Sequence, residues 1–253
     1  MGRAVNPYED PDFVDRYARA RPGPPRALVP FLTQLSGGRT PRLVVDLGCG
    51  TGLSCRAWRG RARRVVGIDS NPEMLRRARP ARGVEFRRAS ARETGLPDGS
   101  ADVVTCSQSF HWMEPRETIR EVARILRRGG IFAAYDYSLP PLIDPDLDPA
   151  FTALFRWAGV KAQPEEKARH LANLSRSRQF RWIRDFSLQD YDLGDARRAL
   201  DLALSVAHVA ARLPDGRPRN ALPWKRFERS VERAFGRGRR RFWWSYETNL
   251  AMK

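Results

Sequence analysis

Residues Val44 to Ser54 read VVDLGCGTGLS, a short apolar run that ends in Asp46 and is followed by Gly48, Gly50 and Gly52 on alternate positions before a helix-like segment. This order describes a buried strand delivering a glycine turn. Glycine accepts positive φ and has no Cβ, so three of them at such spacing let a backbone approach a bound molecule closely.

The details of the turn restrict what that molecule can be. A dinucleotide turn reads G-x-G-x-x-G and places pyrophosphate on a helix N-terminus. Here the spacing is G-x-G-x-G, and Asp46 precedes it by two residues, a charge that repels phosphate and attracts an ammonium group. One helix-length later, RRVVGIDSNPEML reads as a second apolar strand ending in Asp69, at the separation where an acid accepts hydrogen bonds from ribose hydroxyls. Asp69 or Ser70 also suits the cap of a helix beginning near Pro72, and capping is compatible with ribose binding. Two acids flanking a glycine turn point to a cation that carries a sugar.

Four ordered stretches carry a resemblance: VVDLGCGTG, VVGIDSNPEML, FRRASARETGLPDGSADVVTCSQSFHWME and EVARILRRGGIFAAYDY. With them the chain resembles the class I S-adenosylmethionine-dependent methyltransferases, in particular the small-molecule branch related to trans-aconitate methyltransferase (methyltransferase type 11). The resemblance covers nearly the whole chain. It implies an α/β, doubly wound Rossmann-like fold with a seven-stranded, mostly parallel sheet, an antiparallel last strand and a helical cap inserted after strand 5. The implied layout is N-terminal lid helices over 1–40, a cofactor-binding core over 41–138, a substrate cap with strand 6 over 139–213, and a C-terminal helix and closing strand over 214–253, all one folded unit.

The resemblance also assigns roles. The turn at Gly48, Cys49 and Gly50 cradles the methionine part of S-adenosyl-L-methionine, with Asp46 near its ammonium. Asp69 meets the ribose, with Ser70 and Asn71 close by. Many relatives carry an acid for the adenine amino group; the matching position is Ser90, followed by Ala91, which predicts weaker adenine anchoring. His111 and Trp112 match a His-Trp pair: His111 is a candidate general base or acceptor contact, and Trp112 a wall of the cofactor pocket rather than a surface residue. Ser107 and Gln108 stand within reach of the methionine carboxylate or the acceptor. Arg21, in a Tyr17…Arg21-Pro22 pattern resembling the family's lid, pairs with the methionine carboxylate. Tyr17, Trp157 and Ser205 are assigned to the acceptor side, and His208 is a second candidate base, since DARRALDLALSVAHVAARL has a helical period that sets Ser205 and His208 on adjacent turns.

The implied reaction is in-line methyl transfer to a small acceptor, first of all an oxygen of an organic acid or a natural-product intermediate. Methylation of RNA or protein, or cofactor binding without transfer, are the alternatives. The formal net charge of +17 favours anionic partners, with lysine only at Lys161, Lys167, Lys225 and Lys253 and arginine supplying the rest. The arginines are scattered, however, and no RNA-binding module is recognisable. The exception, Lys225 to Arg241, reads as an amphipathic helix with Phe227, Val231 and Phe235 on its buried face, and the following FWWSYETNLAMK as the closing strand. Three cysteines and three histidines give neither a disulfide framework nor a zinc spacing, so no metal is predicted from the motifs. With no secretion signal or membrane-length apolar run, a cytoplasmic enzyme is the expectation. Oligomeric state is not encoded in any motif.

Overall fold

A computed structural model describes residues 7–160, 164–213 and 221–253. The predicted boundary at residue 214 and the first six residues of the predicted lid lie outside them. Seven strands form one sheet: β1 (Leu43–Leu47), β2 (Arg64–Asp69), β3 (Val84–Arg88), β4 (Ala101–Ser107), β5 (Leu126–Tyr137), β6 (Trp182–Gly194) and β7 (Arg240–Met252), in the order β3-β2-β1-β4-β5-β7-β6. β1 pairs in parallel with β2 and β4, with Val45 opposite Val66 and Val104, and β4 runs parallel to β5. β7 is antiparallel to β5, with Ala134 opposite Asn249. All five residues of β1 are buried, as a strand covered on both faces requires, which is why VVDL reads as a run and not as an alternation.

Ten helices accompany the sheet among the described residues: α1 (Pro11–Ala20), α2 (Leu28–Leu35), α3 (Leu53–Ala57), α4 (Pro72–Arg76), α5 (Pro115–Ile125), α6 (Asp148–Ala158), α7 (Pro164–Ser177), α8 (Ala196–Leu204), α9 (Ala207–Ala211) and α10 (Leu222–Phe235). The sheet order reverses at β1, since β2 and β3 lie to one side and β4 and β5 to the other. Such a reversal opens a crevice at the C-terminal strand ends, where ligands of open α/β sheets bind.

Two compact units share the chain. The larger takes Gly23–Tyr137, Gln163–Leu188 and Ser245–Lys253. Its core joins Val45, Leu47, Val66, Ile68, Val104, Phe132 and Leu174, and the Phe110 ring meets Phe132 edge-on at 5.6 Å. Asp102 accepts the Arg42 and Leu43 N–H groups and the Arg127 Nε–H, so it ties β1's entry to β5.

The smaller unit takes Met1–Pro22, Ser138–Ala162 and Gln189–Trp244. α1 belongs to this unit and α2 to the larger one. Within the smaller unit Phe151 of α6 meets Phe227 of α10 at 4.5 Å, and α10 buries the predicted Phe227, Val231 and Phe235 together with Trp224. Phe242 and Trp244 of β7 are buried while Trp243 between them is 43% exposed, the two-residue alternation of a strand. The single helix predicted across Ser205 is two helices. Arg21 donates from Nε to Ser205 Oγ and from Nη2 to the Ser205 carbonyl, both at 2.8 Å, and Val206 turns extended (φ −92°, ψ 117°). A buried guanidinium takes a carbonyl that a continuing helix would need for its own ladder. Ser205 therefore caps α8, and His208 lies exposed on α9.

Candidate active site

The turn after β1 is built on left-handed backbone. Gly48, Gly50 and Gly52 have φ of 65°, 53° and 77°. A Cβ on Gly48 would sit 2.5 Å from Ser109 Cβ, and one on Gly52 would sit 2.6 Å from the Phe86 ring. Conformation and packing both demand glycine here. Ser109 donates its hydroxyl to the Leu47 carbonyl at 2.8 Å, so the exit of β4 braces the exit of β1. Cys49 N–H donates to Ile68 O at 3.0 Å, which fastens the turn to β2.

Asp69 closes the other side. Its Oδ2 accepts the Gly50 N–H and its Oδ1 the Asn71 N–H, each at 2.8 Å. The cap of α4 is Asn71, whose Oδ1 accepts Glu73 and Met74 N–H, so the capping task falls to neither Asp69 nor Ser70. Burial raises the Asp69 pKa, opposed by the N–H groups of Asn71, Gly50 and Ser70. The carboxylate is half-buried, and a second lone pair on each oxygen remains available to hydroxyl donors. A left-handed glycine turn beside such an acceptor pair fits a nucleoside with vicinal hydroxyls.

Asp46, expected near a ligand ammonium, is enclosed within the protein. It is 0% exposed, and its oxygens accept from Thr105 Oγ1 at 2.7 Å, from Ser54 Oγ, and from Cys55 Sγ at 3.3 Å. Burial raises its pKa, with Ser54, Thr105 and Cys55 opposing. Three side-chain donors enclose this carboxylate because it ends a fully covered strand, so Asp46 joins β1, α3 and β4. All three cysteines are free and buried.

Past β3, Ser90 is half-buried, its Oγ accepting Arg92 N–H at 3.4 Å, and Ala91 packs partly buried on the core. At the tip of β4, Ser107 is half-buried and Gln108 adopts φ 52°. A non-glycine residue in that region persists only where its surroundings hold it. Gln108 N–H donates to Tyr135 O at 3.0 Å and Nε2 to Tyr137 O at 2.9 Å, clamping the ends of β4 and β5 together. The 3-10 turn Phe110–Trp112 follows. Trp112 is 71% exposed, not the enclosed wall that the sequence predicts. In a three-residue turn, neighbouring side chains diverge by about 120°, so burying Phe110 turns Trp112 outward.

His111 is half-buried, with Nδ1 3.8 Å from Asp136 Oδ1. Asp136 Oδ2 lies 3.9 Å from His170 Nε2. His170, 4% exposed, packs its ring 4.8 Å from Phe110, and its pKa falls to about 4 through burial, with His111 and Arg169 adding to the effect. Asp136 was not singled out in the sequence, and His170, read as part of the cap helices, was given no role of its own. The one signal was an acid inside the apolar run AAYDY; His170, on a helix far along the chain, gave none.

The remaining predicted residues belong to the smaller unit. Arg21, 8% exposed, holds Ser205 and stands 5.0 Å over the Tyr17 ring, while Trp157 is half-buried on α6. Burial, with Tyr17 adding to it and Arg21 opposing, pushes the Tyr8 hydroxyl up to about 12. No helix among the described residues is long and apolar enough to cross a membrane.

Residues 45–134 match the family model of a methyltransferase domain. An uncharacterized methyltransferase of Mycobacterium bovis is 38% identical over 120 residues, covering 46% of this chain and 47% of that protein. The chain thus matches about half the length of that curated relative. Among solved structures, a candidate type II methyltransferase from Anaeromyxobacter dehalogenans shares the fold with TM-score 0.69 and 24% identity, over 92% of this chain and 97% of that one. The [4+2]-cyclase SpnF shares it at TM-score 0.51 and 19% identity, over 90% and 81%.

Proposed function

We propose that the chain, whose residues 45–134 match the family model of a methyltransferase domain, is an S-adenosylmethionine-dependent methyltransferase that transfers a methyl group from S-adenosyl-L-methionine to a small-molecule acceptor. The observation that carries the reading is Asp69, which binds the Gly50 N–H while half-buried beside a left-handed glycine turn. Asp69 receives the ribose hydroxyls, Gly48 to Gly50 line the methionine part, and Ser90 and Ala91 border the adenine. Asp46 positions the turn and supplies negative potential from beneath it.

The sulfonium donor brings its own activated methyl group, so the protein's task is alignment, an effect worth up to ~7–11 kcal/mol. The acceptor lies at the tips of β4 and β5, beside Ser107, Gln108 and His111. A hydroxyl acceptor has to shed a proton, and the corner of His111 and Asp136 is where it leaves. A carboxylate acceptor needs no base. Oxygen of an organic acid or natural-product intermediate is therefore the proposed target, in a cytoplasmic setting.

Calorimetry with S-adenosylhomocysteine, followed by mass detection of that product from S-adenosylmethionine with a panel of hydroxy acids and phenols, tests the reading. Absence of binding would overturn it. The +17 charge favours a nucleic-acid acceptor as the second reading, and salt-sensitive methylation of bulk tRNA would replace the small acceptor. Binding without product would place the chain with proteins that keep the fold but not the transfer.

A further inference from the structure

We propose that His111, Asp136 and His170 form a binding site for one divalent transition-metal ion of the zinc type, held by two imidazoles and one carboxylate. Three elements of the larger unit bring them together: the 3-10 turn after β4, the end of β5, and α7. One ligand atom from each lies within 4.8 Å of the others, with closest approaches of 3.8 and 3.9 Å to the two Asp136 oxygens. Ligands at roughly 2.0–2.2 Å from a tetrahedral ion stand about 3.3–3.6 Å apart, so shifts of about an ångström or less complete the set. As built, the gaps are too long for hydrogen bonds and too short for indifference.

The buried imidazole supplies the second, independent observation. Neither ring nitrogen of His170 has a hydrogen-bond partner among the described residues, although both are enclosed. Buried polar nitrogen left unsatisfied costs free energy, and a metal ion on Nε2 would remove that cost at one of the two. Arg169 opposes a cation at this place; the Asp136 carboxylate offsets it.

Three protein ligands of nitrogen and oxygen leave a coordination position open, as in sites that bind a substrate rather than brace a fold. His111, with 21% of its side chain accessible, marks the open side. On the reading given under "Proposed function", that position takes the acceptor's hydroxyl or carboxylate oxygen, and His111 serves as a ligand instead of a free base. The metal chemistry would then choose acceptors that present oxygen. The absence of a zinc motif in the sequence follows from the spacing, since 25 residues separate His111 from Asp136 and 34 separate Asp136 from His170.

The test uses the full chain stripped with chelator and titrated with Co2+, whose visible absorption reports protein ligands. One equivalent should bind with intensified d–d bands and be displaced by Zn2+. His111→Ala, Asp136→Ala and His170→Ala should each weaken Co2+ binding at least about tenfold, the loss seen even when a group that only supports a ligand is removed. Glu93→Gln, on the surface, should leave it unchanged. His111 is less buried than His170, so its variant remains informative if His170→Ala fails to fold. A spectrum no different from aqueous Co2+, or equal binding by the three variants, overturns the proposal. S-adenosylhomocysteine calorimetry on the same metal-free protein separates the two readings: uptake of nucleoside without Co2+ removes the metal site alone, and Co2+ uptake without nucleoside removes the cofactor reading alone.

Discussion

Asp69 Oδ2 accepts the Gly50 N–H at 2.8 Å, so the acid that ends β2 is hydrogen-bonded to the middle glycine of the turn that follows β1. This one bond fixes the separation between the turn after β1 and the end of β2. On the proposed reading Asp69 has two duties, holding the turn and facing the sugar.

Asp69→Asn keeps the shape and removes the charge. Charge-assisted hydrogen bonds contribute about 1.5–3 kcal/mol, so S-adenosylhomocysteine affinity should fall by about ten- to a hundredfold while the circular dichroism spectrum is retained. Calorimetry giving an unchanged dissociation constant would remove Asp69 from the ribose.

Gly48 and Gly60 separate strain from collision. Both have left-handed φ, but a Cβ on Gly48 meets Ser109 at 2.5 Å, whereas one on Gly60 meets nothing within 4 Å. Gly60→Ala should cost about 1–2 kcal/mol from conformation alone. Gly48→Ala should cost about 1–3 kcal/mol more, the usual cost of overpacking. Urea unfolding of both variants measures the difference, and equal losses would mean that Ser109 yields freely.

Ser90→Asp introduces a charged acceptor where the proposed reading places the adenine amino group. Exchanging a neutral for a charge-assisted bond is worth about 1 kcal/mol, so affinity for S-adenosylhomocysteine should rise by about threefold to tenfold. A weaker or unaltered affinity would show that adenine rests elsewhere.

His170 should make metal-free protein sensitive to mild acid. Its pKa is about 4 when folded against the usual 6.5 of histidine, so the unfolded chain binds the extra proton between those values. The stability owed to the neutral ring is complete above pH 6.5 and is lost as pH falls towards 4. His170→Phe, beside the Phe110 ring, lacks this proton. Thermal unfolding from pH 7 to pH 4.5 should therefore fall less steeply in the variant, by about 2 kcal/mol over the interval. Parallel curves would show that His170 is solvated in solution.

The strands of the cofactor core are legible in the chain because each signal is local. VVDL and VVGID are runs of buried β-formers, and the alternate glycines announce a turn whose φ values only glycine adopts easily. The C-terminal helix was legible for the same reason, its apolar residues recurring at 3.6-residue spacing. The break at Ser205 was not, because it depends on a guanidinium 184 residues away. Trp112 misled because a motif position states neighbours in sequence and not which side of a turn is covered.

What residue order alone determined is therefore the ladder of strands, the glycine turn and the acids at the ends of β1 and β2, all set by backbone preference and hydrophobic period within a dozen residues. Folding in three dimensions decided that Asp46 is sealed inside while Asp69 is left reachable, and that Asp136 and His170 meet His111. Burial and proximity are properties of surfaces brought together from distant segments, and no local pattern of side chains contains them.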